Sequence, residues 1–436
     1  MSELRDRSNC APKAPGVARH GRLKRSAVWK TVAGLIGGTL AVALVAGFSV
    51  AGIAVWQLQS NIKTVKIGQD SVAPPPNIAS YQGGFNILLV GSDTRAGQGG
   101  IGGTVAQDSG ALNDVTMLMH VAQDQKSATV VSIPRDMVVP YPKCPHGNVD
   151  AGLPINNSLS YGGLACTVLV VQKLTGLTIQ FAGLITFQGV IAMSDAVGGV
   201  DVCVAGPIKD PYTGLNLPAA GTYNLQGAQA LAFLRSRHGV GDGSDLGRIG
   251  SQQVYLSALV RKIKSSGTLS DLGKLYSIAQ AATQNITLSE NFTHLDTLVS
   301  VALVLKNIPL QNIVFVQYPG TTGGTGMYAG KVQPITSVAN ALFAAIKADQ
   351  PVGLDKNALS GAHNGSTTDP NAPATATATA TAPAAGTPAP TSSRAATPTA
   401  TPTLPGESSS APPATVIPSL KGQSAATYTC SQPFKG

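Results

Sequence analysis

One stretch of the sequence, residues 227–253, concentrates the side chains with the greatest capacity for chemistry. Its first part has the apolar spacing of a helix, and Arg235 continues the apolar side of that helix. A second helix is predicted after a glycine-rich turn, and its Asp245, Arg248 and Gln252 are spaced i, i+3 and i+7. These three residues form one polar stripe at the turn.

The arginines of this stretch favour an anion as the ligand. Arg235, Arg237 and Arg248 carry planar guanidinium groups, which bind phosphate oxygens in pairs and stay charged at any working pH. A pyrophosphate therefore fits the cluster better than a single carboxylate does. The alternative is structural, because cations at a helix end also stabilise the helix dipole by about 0.3–1 kcal/mol each. The spacing is compatible with both interpretations.

Further polar residues lie at the ends of predicted strands. Asp93 follows a strand at residues 85–91, Asp114 opens the next strand, and Arg135 follows the third. Grouped carboxylates could hold a hard cation such as Mg²⁺, although single aspartates at strand ends are more commonly turn formers. The sequence contains no Walker A, GxSxG or HExxH pattern, so ordinary kinase and hydrolase classes lose support.

Strands and helices are mixed through the middle of the chain. Strands are predicted at 85–91, 115–121, 128–133, 200–204 and 313–318 and near Phe181, and helices at 164–174, 187–197, 247–265, 269–283, 292–306 and 335–347. Such a sheet needs cover on both faces. The sequence therefore predicts one α/β domain over residues 83–350.

The N-terminal region has the pattern of a membrane anchor. Residues 1–30 form an arm with eight basic and two acidic residues, and residues 31–56 contain no charge across 26 positions. As a helix these positions span roughly 39 Å, more than a bilayer core. The positive-inside rule predicts a cytoplasmic arm, a single transmembrane helix and, after a spacer at 57–82, an extracellular domain. A cleaved signal peptide is the alternative, but its apolar core is shorter.

The remaining charge argues against nucleic acid as a partner. Of the net charge of +9, the arm supplies +6 and residues 355–436 supply +1, which leaves +2 for residues 31–354. Binding through counterion release needs a basic face, and the body of the protein does not have that charge.

The C-terminal part changes composition abruptly. Residues 351–420 are rich in Thr, Ala and Pro, which predicts a disordered linker, and residues 421–436 form a short tail with Cys430. Four cysteines follow the predicted span, an even number that suits an oxidising location. The short loop between Cys144 and Cys166 favours that disulfide, leaving Cys203 to join the tail. A zinc site is the alternative, but no CxxC pattern supports it.

Several motifs in order resemble the extracellular domain of the LytR-CpsA-Psr family. The resemblance covers about residues 83–349 and is carried by VGSDTR, NDVTML, SIPRDM, INNSLSYGG, DAVGGVDV, LQGAQALAFLRSRH and GSDLGRIGSQQ. Ala228 stands where family members often have Glu, at a position to which no role is assigned. The basic arm and single span also match the usual layout of the family.

The resemblance implies a fold and a set of functional residues. The fold would be an α/β/α sandwich around a mixed central sheet, with an apolar channel for an isoprenoid chain. Asp93 and Asp114 would be associated with Mg²⁺ (or Mn²⁺), and Asp245 would be the acidic partner of the arginine cluster. The groups holding a polyprenyl pyrophosphate would be Arg135, Arg235, Arg237, Arg248 and Gln252. Of these side chains, the catalytic set would be Asp93, Arg135, Arg235, Arg237 and Asp245.

The implied reaction is phosphotransfer outside the cell membrane. A wall glycopolymer with its terminal phosphate would move from a polyprenyl pyrophosphate carrier to a hydroxyl of peptidoglycan, with Mg²⁺ and arginines stabilising the developing charge. Two alternatives stay open. One is glycan transfer to a surface protein, or hydrolysis of the pyrophosphate alone. The other is a membrane-anchored regulator or binding module without catalytic activity.

Overall fold

The structure, a computed structural model, describes residues 28–68, 83–94, 111–145, 147, 152–265, 267, 271–355, 357–359, 363–365 and 414–434. Most of the predicted arm, spacer and linker lies outside these residues. The helices are α1 (Val28–Ser60), α2 (Gly163–Thr175), α3 (Phe187–Ala196), α4 (Gly227–Arg235), α5 (Asp245–Lys264), α6 (Leu272–Asn285), α7 (Leu295–Asn307) and α8 (Thr336–Lys347). The strands are β1 (Lys63–Val65), β2 (Phe85–Ser92), β3 (Asn113–Val121), β4 (Ala128–Ile133), β5 (Val138–Val139), β6 (Leu153–Pro154), β7 (Phe181–Ile185), β8 (Val200–Val204), β9 (Ile208–Asp210), β10 (Leu215–Leu217), β11 (Gly221–Leu225), β12 (Ile286–Ser289), β13 (Ile313–Gln317), β14 (Gly320–Thr321), β15 (Gln333–Pro334), β16 (Val352–Gly353), β17 (His363–Gly365), β18 (Thr415–Val416), β19 (Gly422–Ser424) and β20 (Thr429–Ser431).

Eight strands form the central sheet, in the order β1-β12-β7-β2-β3-β4-β13-β19. The pairs β1/β12, β2/β7 and β4/β13 are parallel and the other neighbours are antiparallel, so the predicted mixed sheet is confirmed. β1 lies inside the predicted spacer at 57–82, which corrects that boundary. A strand of three residues carries too little periodicity to be recognised from its own sequence.

The central strands send alternate side chains to two apolar cores. In β2, Leu88 and Val90 belong to one core and Phe85 and Ile87 to the other. Helices α2 and α8 contribute to the first core, and α5 and α7 pack into the second. Each fully buried side chain of this size stabilises the fold by about 1.5–3 kcal/mol. The described domain therefore has helices on both faces of its sheet.

Helix α1 contains the predicted membrane span, and part of its side chains lies outside the described residues. Among the side chains that are described, Leu35, Ile36, Leu40 and Val45 are exposed. Within the described residues, the structure has no helix that is both long and apolar enough to cross a membrane.

The C-terminal segment belongs to the folded domain, which corrects the prediction of a linker up to residue 420 followed by a tail. β18 pairs with β16, β19 pairs with β13 at the edge of the central sheet, and β20 lies between β8 and β17. Leu420 and Ala425 are fully buried. These short strands are stabilised by pairing with residues distant in sequence, and a local pattern does not record such pairing.

Two disulfide bonds are present among the described residues. Cys144–Cys166 spans 22 residues and Cys203–Cys430 spans 227, which is the pairing that the sequence favoured. The second bond joins β8 to β20 and attaches the C-terminal segment to the domain.

Removing the Cys203–Cys430 bond should lower the free energy of unfolding. The double variant Cys203→Ser/Cys430→Ser is expected to lose about 2–5 kcal/mol, because the crosslink restricts the unfolded chain. Urea denaturation of the full chain in detergent measures the difference, with Cys10→Ser as the matched control. Equal midpoints for the double variant and the wild type would show that strand pairing alone holds the segment.

Candidate functional site

The glycine-rich turn between α4 and α5 is shaped by close approaches of other segments. Gly243 has φ +77°, and a Cβ at this position would lie 2.9 Å from the Phe434 ring. Ser244 caps α5, its Oγ accepting the N–H of Gly247 at 3.2 Å. A capping serine typically stabilises a helix by about 1 kcal/mol. The turn thus fixes where α4 ends at Arg235 and where α5 begins.

Asp245 connects three arginines at the start of α5. Its Oδ1 lies 2.5 Å from Nη2 of Arg248 and 3.9 Å from Nε of Arg237, and its Oδ2 accepts the backbone N–H of Arg135 at 3.1 Å. The side chains of Asp245 and Arg248 are only 5% and 4% exposed. Buried charges need such pairing, because an unpaired one costs several kcal/mol.

Asp114 joins the same network from the sheet. Its carboxylate pairs with Nη1 of Arg135, and its backbone carbonyl accepts Nη2 of Arg248 at 2.8 Å. Asp114 lies at a bulge between β2 and β3, and bulges commonly redirect a side chain toward a site. Burial lowers the pKa of Arg135, but the surrounding carboxylates, Asp114 first among them, raise it more. Arg135 is therefore held charged.

An apolar cavity of about 240 Å³ lies between the sheet and helices α3, α4 and α5. Its walls include Met117, Val190, Leu231, Leu256 and Ile263. Four of the predicted site residues also line it: Asp114, Arg235, Arg248 and Gln252. Ligand pockets commonly combine apolar walls with a few converging polar groups, and this cavity has that composition.

Arg235 and Gln252 are positioned by groups that the sequence did not reveal. The Arg235 guanidinium lies over the Phe187 ring, 4.3 Å from its centroid, and Nε2 of Gln252 donates to the carbonyl of Leu234 at 2.9 Å. In α4, Leu231 is buried and lines the cavity with Arg235, while Ala228 in the first turn is exposed. The apolar side that carries Arg235 therefore contacts the domain from the second turn of the helix onward.

Replacing Phe187 should weaken anion binding at Arg235, because the guanidinium loses the aromatic ring that it lies over. Phe187→Leu keeps a large apolar side chain but removes a cation–π contact worth about 0.5–2 kcal/mol, so the affinity for inorganic pyrophosphate should fall about 2- to 30-fold. Phe187→Tyr keeps the ring and should bind with near wild-type affinity. Calorimetric titration of both variants provides the test, and equal losses in the two would point to cavity shape instead.

Asp93 lies at the end of β2, near the bulge that carries Asp114. Its Oδ1 accepts the backbone N–H of Leu112 at 2.8 Å, and the residue is half-buried. Among the described residues, no group of three or more His, Cys, Asp or Glu side chains could hold a metal ion. Asp93 and Asp114 offer carboxylate oxygens, the ligand type that suits an ion such as Mg²⁺, which keeps waters and takes the rest of its ligands from substrate phosphates.

Sequence reasoning missed Asp210, which lies just before a proline and has the pattern of a turn. It is fully buried, and its Oδ2 accepts the Ser236 hydroxyl at 2.7 Å and the Arg237 backbone N–H at 3.1 Å. Asp210 therefore fixes the backbone that presents Arg237. Only the turn signal was available locally, since its partners lie 26 and 27 residues away.

The fold and the site define an α/β domain in which a buried arginine–carboxylate network adjoins an apolar cavity. The chain belongs to the LytR_cpsA_psr family, whose model matches residues 54–344.

Two relatives and one solved structure are similar to this chain. The cell wall biosynthesis protein LcpA of Corynebacterium glutamicum is 32% identical over 292 residues, 58% of this chain and 53% of LcpA, so the match spans about half of that relative. The polyisoprenyl-teichoic acid–peptidoglycan teichoic acid transferase TagT of Bacillus subtilis is 28% identical over 260 residues, 58% of this chain and 76% of TagT. The crystal structure of B. subtilis TagV shares the fold, with a TM-score of 0.50 and 20% identity over 62% of this chain and 98% of that one.

Proposed function

We propose that this protein is a phosphotransferase that moves a glycopolymer, with its terminal phosphate, from a polyprenyl pyrophosphate carrier to a hydroxyl of peptidoglycan. The observation that carries the proposal is the apolar cavity whose lining includes buried or half-buried charged groups. A ligand that fits both parts has a long apolar chain and a compact anionic group. The name of TagT, a transferase of polyisoprenyl-linked teichoic acid to peptidoglycan, agrees with such a ligand.

The arginines would bind and neutralise the pyrophosphate. Arg235 and Arg248 line the cavity, and Arg237 and Arg135 join them through Asp245. Fixed guanidinium groups in a site with little water stabilise the charge that develops on a leaving phosphate. Because Asp245 and Asp210 already hold these segments, little reorganisation is needed when the ligand binds.

The transfer step breaks one bond of the pyrophosphate. The acceptor hydroxyl oxygen attacks the phosphorus that bears the glycan, the bond from this phosphorus to the bridging oxygen breaks, and polyprenyl phosphate leaves. The hydroxyl proton goes to a base, for which Asp93 is our candidate. Phosphoryl transfer depends mostly on positioning and charge neutralisation, and these residues are of the types that provide both.

Mg²⁺ or Mn²⁺ is the cofactor that we propose for the site. Asp93 and Asp114 would hold it, and when bound it would neutralise phosphate oxygens. In that state Arg135 would share Asp114 with the cation.

We also propose that the domain lies outside the cell membrane, with residues 31–56 as the anchor. The 26 uncharged positions of that segment and the net charge of +6 before it support this arrangement.

A comparison of two donors tests the function. The full chain in detergent is given peptidoglycan and a glycan-pyrophosphate carrying either a long polyprenyl chain or a short water-soluble one. We expect glycan joined to peptidoglycan through a phosphodiester, faster with the long chain, and lost with excess EDTA. Free glycan phosphate alone would indicate hydrolysis, product joined only to protein would indicate another acceptor, and no turnover of either donor would leave a binding role.

A further inference from the structure

Exposed aromatic residues are concentrated at one place in the folded domain. Among described residues after α1, the exposed aromatic side chains are Tyr212, at 78%, and Phe434, at 45%. The two residues are 222 positions apart in the chain, yet both contact the turn at residues 238–243, which directly follows Arg237. Exposed apolar groups gathered beside a charged site are typical of ligand contacts.

Tyr212 is held against this turn by the residue that positions Arg237. Oδ1 of Asp210 accepts the Tyr212 backbone N–H at 3.0 Å, while Oδ2 accepts that of Arg237 at 3.1 Å. The Tyr212 ring lies over His238, with centroids 4.6 Å apart and a tilt of 44°. One buried carboxylate therefore sets the position of the aromatic ring relative to the arginine segment.

Phe434 is fixed on the turn by the C-terminal segment. Its backbone N–H donates to the carbonyl of Gly239 at 2.9 Å, and the carbonyl of Gln432 accepts the N–H of Gly241 at 3.0 Å. The Cys203–Cys430 disulfide anchors this segment four residues earlier. The ring is therefore held in place although almost half of its surface is open to solvent.

We propose that Tyr212 and Phe434 form a binding platform for the pyranose rings of a glycan, adjoining the arginine cluster. The C–H-rich face of a pyranose packs against the electron-rich face of an aromatic ring, and such rings bind with little loss of side-chain freedom. The inference rests on the proposed function, because it places sugar next to the phosphate that the arginines would hold. The sugar belongs either to the carrier-linked glycopolymer or to the peptidoglycan acceptor.

The kinetics of substituted proteins distinguish a contact with sugar from a change in the packing of the turn. With full-length protein in detergent, Tyr212→Ala and Phe434→Ala should each lower kcat/KM for the glycan-bearing donor and peptidoglycan about 5- to 10-fold. In both alanine variants, phosphate release from glycan-free polyprenyl pyrophosphate should change less than twofold. Tyr212→Trp keeps an aromatic ring and should retain transfer. Met327→Ala, an exposed control, should leave transfer unchanged. Equal losses on both substrates would overturn the platform, as would wild-type transfer in both alanine variants.

A binding measurement does not depend on catalysis. Fluorescence of Tyr212→Trp is titrated with soluble peptidoglycan glycan strands and, separately, with glycopolymer released from its carrier, against the unsubstituted chain as background. A saturable fluorescence change with one of the two glycans identifies that glycan as the source of the sugar. If neither glycan changes the fluorescence, the platform is overturned. If the unsubstituted chain shows no transfer while Tyr212→Trp still binds sugar, the proposed reaction fails and the platform remains.

Discussion

Replacing Arg237 by alanine is expected to lower turnover of a lipid-linked glycan about 100- to 1000-fold, the usual loss when one donor to a developing oxyanion is removed. Arg237 is suited to this test because it lies 3.9 Å from Asp245, whereas Arg248 lies at 2.5 Å and keeps that carboxylate paired when Arg237 is removed. The loss should appear in kcat more than in KM, since the charge that it stabilises develops during transfer.

Two matched variants make this result specific. Arg237→Lys keeps the charge but not the paired N–H groups, and we expect an intermediate loss. Lys143→Ala removes an exposed cation elsewhere in the domain and should leave turnover unchanged. Product formation is measured with labelled donor and peptidoglycan, beside the urea midpoint of each variant. Wild-type turnover in Arg237→Ala would remove this residue from the site.

Replacing Asp245 by alanine should have the largest effect on stability. The substitution leaves Arg248, whose side chain is 4% exposed, without its carboxylate partner, and breaking a buried pair in this way costs about 3–5 kcal/mol. It also frees the backbone N–H of Arg135, so transfer should be lost together with stability. Urea unfolding followed by circular dichroism gives the change in free energy.

A second substitution distinguishes the buried charge from a local packing defect. In Asp245→Ala/Arg248→Met the unpaired cation is gone, and part of the lost stability should return although two polar residues are missing. Asp296→Ala, at the exposed start of α7, should change stability by no more than about 1 kcal/mol. If the double variant is less stable than Asp245→Ala alone, the buried, unpaired charge of Arg248 is not the cause of the lost stability.

The helix pattern around the site could be predicted because it is local. Asp245, Arg248 and Gln252 are close on α5 through helical spacing alone, and Arg235 lines the cavity as its position at the end of α4 suggested. The central strands were predictable for the same reason, since they alternate or are continuously apolar, whereas the mixed sheet was what the family resemblance implied.

The environment of these residues could not be predicted. Phe187 beneath Arg235 and Asp210 behind Arg237 are brought in by other elements, and no periodicity links them to the arginines. The C-terminal strands follow a stretch rich in Thr, Ala and Pro, so Cys430 was the one residue that indicated a link between this segment and the domain.

The sequence by itself determined the α/β class, because the periodicity of strands and helices is local, and the even set of four cysteines favoured the two disulfide pairs that the structure contains. The membrane anchor and phosphate binding by the arginines stay predictions. Only the tertiary structure decided that Asp114 and Arg135 would join the Asp245–Arg248 pair of α5 in one network, and that Tyr212 and Phe434 would meet at one turn. Such contacts join residues from separate elements. Their energies depend on burial and on the folded positions of both partners, which local spacing does not specify.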